Sequence, residues 1–276
     1  MGEETYLFYH LLQTKKSTFL PSRKKKDNSH ENQLQHLILA ISIPEITYHT
    51  PVAISLQFGN LTNKNHPWMV GFDNIASIIA AQHQWQLRYL RQPDHFYFND
   101  LKTSILQLRT LIKDLINADH IDEMSIVDNA TTNAAIVLQH TTWNFHEGRF
   151  LKGDVVLMLH YAYSAIKKSI EAYITRVGSN VVKVPLPFPV NSNDEIVYEF
   201  RKALERGKSN ENRVRLTVID HLTFMSCVVI PIKEFIQICR EEGVDQVFVD
   251  AAHSIGCTDV DMKEIGVDFY TNNLHK

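Results

Sequence analysis

From Met124 to Thr271, short runs of apolar residues alternate with stretches of helical period, and this alternation allows few architectures. "MSIVD" (124–128), "DVVLMLH" (154–160), "VVKVPL" (181–186), "VRLTVID" (214–220), "VDQVFVD" (244–250) and "VDFYT" (267–271) read as strands. Between them, "TTNAAIVLQH" opens a helix and "SAIKKSIEAYITRVG" forms one closed by Gly178. "NDEIVYEFRKALERG" has Asn193 or Asp194 as its cap and Gly207 as its stop. "IKEFIQICREEG" puts Ile232, Phe235, Ile236 and Cys239 on one face. Strands that are apolar throughout are buried on both faces, and crossover helices make their neighbours parallel. The pattern predicts an α/β fold, three-layer αβα, with a mostly parallel sheet.

Upstream, "DNIASIIAAQHQWQLRYLRQ" (73–92) has helical spacing and stops before Pro93. "DLKTSILQLRTLIKDLINA" (100–118) places Ile105, Leu108, Ile112 and Leu115 on one stripe. Residues 1–72 show no sustained period and are read as an N-terminal extension, with residues 73–276 as the domain. Their "RKKK" (23–26) reads as a solvated cluster ahead of a nuclear address. The 276 residues are 44% hydrophobic and 21% charged, a globular composition, and a net charge of −3 gives no reason to expect nucleic acid as a partner. No apolar run approaches the roughly 18 residues of a membrane span. The start lacks an apolar leader with a cleavage site, so cytosol is the expected compartment, with nucleus or plastid as alternatives. Three cysteines with no C-x-x-C pair predict unpaired thiols.

In parallel α/β sheets, ligands bind beyond the carboxyl ends of the strands. The residues there are Asn129 to Thr132, His160 to Tyr163, Asp220 to Thr223, Asp250 to His253, and Thr271 to Lys276. Singly, each has a plain reading. Thr131 and Thr132 suit an N-cap as well as a phosphate site at a helix start. Asp250 and His253 could be half of a metal site, but no third ligand stands at suitable spacing, and no metal is expected. P-loop, dinucleotide and nucleophile-elbow motifs are absent. Together, a phosphate-binding helix start, an aromatic plate, a strand-end acid and a lysine are the parts of a pyridoxal 5'-phosphate site.

"DNATTNAAIVL", "YSAIKKSIEAY", "IDHLTFMSCVVIPIKEFIQICREEGVDQVFVDAAHSIG" and "DVDMKEIGVDFYTNNLHK" resemble the fold-type I, class V aminotransferase superfamily. They look most like its branch of isopenicillin N epimerase-like proteins and plant-type L-cysteine desulfhydrases, helped by "RQPDHFYFN" and "LPFPVNSNDEI". The resemblance covers roughly residues 75 to 276. It implies Lys276 as the lysine that holds the cofactor as a Schiff base, Asp250 as the acid on the pyridine nitrogen and His253 as the group near the phenolic oxygen. Thr131 and Thr132 match the phosphate-binding turn, helped by Asn273 and His275. Tyr163 matches the stacking ring, and Thr223 joins the cofactor contacts. Phe224 departs from the pattern, standing where relatives carry a small polar residue, and "GNLTNKNHPWMVGFDN" lacks a recognisable entry segment.

The resemblance implies β-elimination of L-cysteine to pyruvate, ammonia and hydrogen sulfide, and a homodimer for a complete family member. A cysteine desulfurase or aminotransferase of the same superfamily is the alternative within the fold. A truncated, non-catalytic relative is the alternative outside it. The sequence ends on Lys276, and the resemblance implies that the rest of the large domain, a small C-terminal domain and a carboxylate-binding arginine would follow. Weak or absent activity is therefore expected of this chain alone.

Overall fold

A computed structural model of the chain describes residues 39–40, 75–209 and 212–274, all within one compact unit. The rest of residues 1–72, with the "RKKK" cluster, and the two last residues lie outside the described set. Strands β3 (Val155–Leu159), β4 (Asn180–Val184), β5 (Val214–Asp220), β6 (Gln246–Asp250) and β7 (Phe269–Thr271) form one sheet in the order β4-β3-β5-β6-β7, every pair parallel. The apolar runs land where expected. β3 and β5 are buried along their whole length, while the edge strand β4 is largely open. A separate parallel pair joins β1 (Leu39–Ala40) to β2 (Ile126–Val127). Only β2 of this pair was foreseen.

Among the helices, α1 (Ile75–Arg91) ends before Pro93, and α2 (Pro93–His95) leads through a π-helical turn, Phe96–Leu101, into α3 (Lys102–Leu115). The sheet is crossed by α4 (Ala130–His146), α5 (Ser164–Tyr173), α6 (Asn193–Gly207), α7 (Ile232–Glu241) and α8 (Met262–Ile265). The chain moves one way along the sheet from β3 to β4 and the other way from β4 onward. Right-handed crossovers therefore place α5 on one face and α6, α7 and α8 on the other. α4 packs against α5, and α6 against α7. The stacked rings of Phe200 and Phe235, 3.8 Å between centroids, join the last two. The reversal between β3 and β5 is a topological switch point, where a crevice opens beyond the strand ends.

Three local expectations change. The cap of α6 is Ser192, whose Oγ accepts from the Glu195 N–H, and not Asn193 or Asp194. The stripe on α3 is only partly covered: Ile112 is buried, but Leu108 and Leu115 are exposed, since the helix meets the body through Ile112, Ile116 and Arg109, whose guanidinium donates to the Ile121 carbonyl. Gly207 is the last residue of α6, with Lys208 as its cap, but it does not end the helix through a left-handed backbone. A Cβ there would meet Val214 Cγ2 at 2.9 Å and Val155 Cγ1 at 3.4 Å, so glycine is needed for close helix–sheet approach. Gly178 keeps its predicted role, ending the Thr175–Val177 turn with φ +81°. Gly207→Ala is expected to destabilise by about 1 kcal/mol, the overpacking of about 1–3 kcal/mol outweighing a helix-propensity gain of about 1 kcal/mol. Urea denaturation checks this, and a stabilised variant would refute it.

At the amino ends of the strands, Arg215 is buried between two carboxylates. Its Nε donates to Asp154 Oδ2 at 2.6 Å and its Nη1 to Asp245 Oδ2 at 2.9 Å. The guanidinium also lies 4.9 Å from the Phe150 ring centroid. Asp154 accepts from the Leu151 and Arg213 N–H groups as well. This cluster fastens β3, β5 and the start of β6 at the end of the sheet opposite the crevice.

Candidate active site

The crevice at the carboxyl ends is a cleft of about 200 Å³, open to solvent. Five strand ends line it: Asn129 to Thr131 after β2, Tyr163 after β3, Asp220, Leu222 and Phe224 at β5, Asp250, Ala252 and His253 at β6, and Asn273 after β7. Thus Asp250, His253, Thr131, Tyr163 and Asn273, five of the residues singled out from sequence, meet in one place.

The helix start is built by Asn129, not by the threonines. Its Oδ1 accepts the Thr132 N–H at 2.8 Å, which makes it the cap of α4. Thr131 then stands in the first turn, exposed and on the cleft. Thr132 is half-buried, and its N–H is engaged by that cap. Asn273 ties the turn to the sheet: its Oδ1 accepts the Ala130 N–H at 3.3 Å, and its Nδ2 donates to the Ala252 carbonyl at 3.5 Å. Asn133 donates to Thr271 Oγ1 at 2.8 Å just beneath. The positive end of α4 is thereby held facing the cleft, a favourable seat for an anion.

Asp250 ends β6, almost fully buried, and its Oδ1 accepts the Ala252 N–H at 3.1 Å. Asp220 ends β5 in register with it. Burial and the neighbouring Asp250 push the Asp220 carboxyl up to about 7, against the Tyr163 main-chain N–H and Lys167. Next to it, His221 points elsewhere, with Nδ1 2.9 Å from Tyr270 Oη; burial pushes it down to about 4, so it is neutral at pH 7.

Aromatic rings form the rim. Tyr163 precedes the first residue of α5, and its ring meets Phe224 edge-on at 5.4 Å; Phe224 in turn lies 5.4 Å from the His253 ring. Thr223 is off the cleft. It is buried, with its hydroxyl bonded to Ser226 Oγ at 2.7 Å and to the Val228 N–H at 2.8 Å, and it braces the loop that presents Phe224. His275 and Lys276 lie outside the described residues. Among the described residues, no group of three metal-ligating side chains is arranged to hold an ion. No described helix is long and apolar enough to cross a membrane.

Two residues carry more weight here than their motifs suggested. Asn129 was readable as a cap from "DNATT", since Asn leads the cap preferences. Asp220 was visible only as a strand-end acid; its burial beside Asp250 depends on sheet order.

The chemistry of the wall fits pyridoxal phosphate: an anion seat at α4, a buried acid for a ring nitrogen, and flat side chains for a ring face. Phe224 is the discordant member, its ring lying between Tyr163 and His253.

The fold is shared with solved enzymes of fold type I. The cystine C-S lyase C-DES matches with a TM-score of 0.54 and 23% identity, over 70% of this chain and 48% of that one. A cysteine desulfurase from Thermococcus onnurineus NA1 matches with a TM-score of 0.53 and 20% identity, over 66% and 45%. Both likenesses define a class of fold. The chain belongs to the aminotransferase class-V family, whose model matches residues 75–276. Among curated relatives, it is 68% identical over 201 residues to a probable L-cysteine desulfhydrase, chloroplastic, of Arabidopsis thaliana, and 60% identical over 201 residues to an L-cysteine desulfhydrase of the same plant. It spans 73% of its own length in these matches but only 42% and 44% of theirs, less than half of either relative.

Proposed function

We propose that the protein containing this chain is a pyridoxal phosphate-dependent L-cysteine desulfhydrase, converting L-cysteine and water to pyruvate, ammonia and hydrogen sulfide. The observation that carries this is that every residue of the cleft lies within the span 75–276 matched by the family model, in a chain 60–68% identical over 201 residues to the two Arabidopsis relatives of that name. When bound, the cofactor supplies an electron sink that makes the cysteine α-proton acidic and the β-carbon–sulfur bond breakable.

The chain's own residues do the rest. The N–H groups at the start of α4 and the Thr131 hydroxyl would receive the phosphate. Asp250 would hold the proton of the ring nitrogen, and Tyr163 and His253, on the same cleft, would offer flat surfaces to the ring. Lys276 would be the residue that holds the cofactor, and its Nζ, once free, would be the base for the α-proton. Loss of that proton and of the thiol group leaves an enamine, which water hydrolyses after release.

The deciding experiment uses the full-length protein with pyridoxal phosphate and L-cysteine. A visible absorption band reducible by borohydride and absent from Lys276→Ala, with pyruvate and sulfide in equal amounts, is the expected result. Alanine with enzyme-bound persulfide would mean a desulfurase instead, and no band would mean a chain without the cofactor. Phe224→Ser is expected to tighten cofactor binding about two- to tenfold, because one side chain no longer has to be moved and fixed elsewhere. A fluorescence titration reads this, and unchanged or weaker binding would show that the ring belongs to the bound state. The reading extends to a homodimer, checked by light scattering. For compartment, the relative whose name includes "chloroplastic" favours a plastid over cytosol, and imaging a full-length fluorescent fusion against a plastid marker decides.

A further inference from the structure

The cleft wall contains a second acid beside the one that faces the ring nitrogen. Asp220 and Asp250 are register partners at the ends of β5 and β6. Register partners on adjacent parallel strands sit about 4.8 Å apart and project to the same face, so the two carboxyls are side by side. Both line the cleft, 4% and 6% exposed. Asp220 Oδ2 is buried with no hydrogen-bond partner among the described residues. A charged oxygen left so would be costly, whereas an acid O–H next to a carboxylate makes a strong, short hydrogen bond.

We propose that Asp220 and Asp250 share one proton, with Asp220 as the donor, so that Asp220 is a positioning residue that fixes the Asp250 carboxylate toward its ligand. The identity of that ligand as the cofactor's ring nitrogen rests on the function proposed above. One shared proton leaves the pair with a single negative charge, the complement of a single protonated ring nitrogen.

The charged and titratable groups around Asp220 are Asp250 and His253 from β6 and its loop, and Tyr163 and Lys167 from the start of α5. His221 is committed to Tyr270. The folded value near 7 lies above the ordinary 3.8. The folded protein therefore binds a proton that the unfolded chain has lost, and this stability is present at acid pH and is lost as pH rises through 7.

The test uses the full-length protein as wild type, Asp220→Asn and Asp220→Ala. In the cofactor-free state, the thermal midpoint of wild type is expected to fall between about pH 4 and pH 7 more than that of Asp220→Asn, which has no proton to lose. With pyridoxal phosphate followed by visible absorbance, Asp220→Asn, which keeps a donor, is expected to bind like wild type at about pH 6, and Asp220→Ala about tenfold more weakly. Above about pH 8, wild type is expected to weaken while Asp220→Asn does not. Superimposable stability profiles for wild type and Asp220→Asn would overturn the shared proton, whatever the cofactor does. Equal cofactor affinity in wild type and Asp220→Ala would overturn the positioning role. Failure of wild type to take up the cofactor would remove that role together with the reading beneath it, while the cofactor-free profile still decides the proton.

Discussion

Asp154→Ala is expected to lower the stability of the domain by about 3–5 kcal/mol, the range for removing one partner of a buried ion pair. For a domain of this size, that is a fall in thermal midpoint of roughly 10 °C. The loss has two sources. Arg215, 8% exposed, keeps only the more open Asp245 as its counter-ion, and the Leu151 and Arg213 N–H groups lose their acceptor. Asp154→Ala combined with Arg215→Met is expected to recover part of the loss, because the buried guanidinium goes with its partner. A double variant less stable than the single one would contradict this account. Burial alone would raise the Asp154 carboxyl, but the bonds from the Leu151 N–H, Arg215 and the Arg213 N–H outweigh it and hold the carboxyl below its ordinary value of 3.8. Its contribution is thus complete above that value and is lost as pH falls below it. Wild type should show an acid loss of stability that Asp154→Ala largely lacks.

The second large effect is on turnover. On the function proposed above, Asp250→Ala in the full-length protein is expected to slow sulfide release from L-cysteine by about a hundredfold or more, the scale on which one preorganised electrostatic contact acts in a buried site. Asp250→Asn should fare little better, since an amide offers the ring nitrogen no charge. Thermal melts separate this from a folding defect, and cofactor content separates it from failure to bind. Wild-type turnover in either variant would remove Asp250 from the chemistry.

Much of this architecture was open to a reader of the sequence, because burial on both faces of a parallel sheet leaves apolar runs such as "VRLTVID" and "VDQVFVD" unmistakable. The cleft followed from the same logic, since strand-end residues converge in any such sheet. What could not be read depends on partners distant in sequence. Two residues, Leu39 and Ala40, are a strand only because Ile126 and Val127 lie alongside them. Periodicity on α3 told which side chains share a face, but not that Leu108 and Leu115 would stay uncovered. The α6 cap was missed by one residue because Ser192, Asn193 and Asp194 can all cap, and only geometry chooses. Thr223 looked like a cleft residue by position, yet its hydroxyl serves the loop.

The side-by-side register of β5 and β6 has a consequence for how this protein can vary. Side chains on a strand alternate between faces, so removing a single residue from either strand would swing one acid of the pair to the opposite side of the sheet. The loops that follow carry no such phase and can lengthen or shorten around the cleft. Strand length is therefore under far tighter constraint than loop length, and attempts to reshape specificity belong in the segment from Leu222 to Val229 rather than in the strands that deliver the two acids.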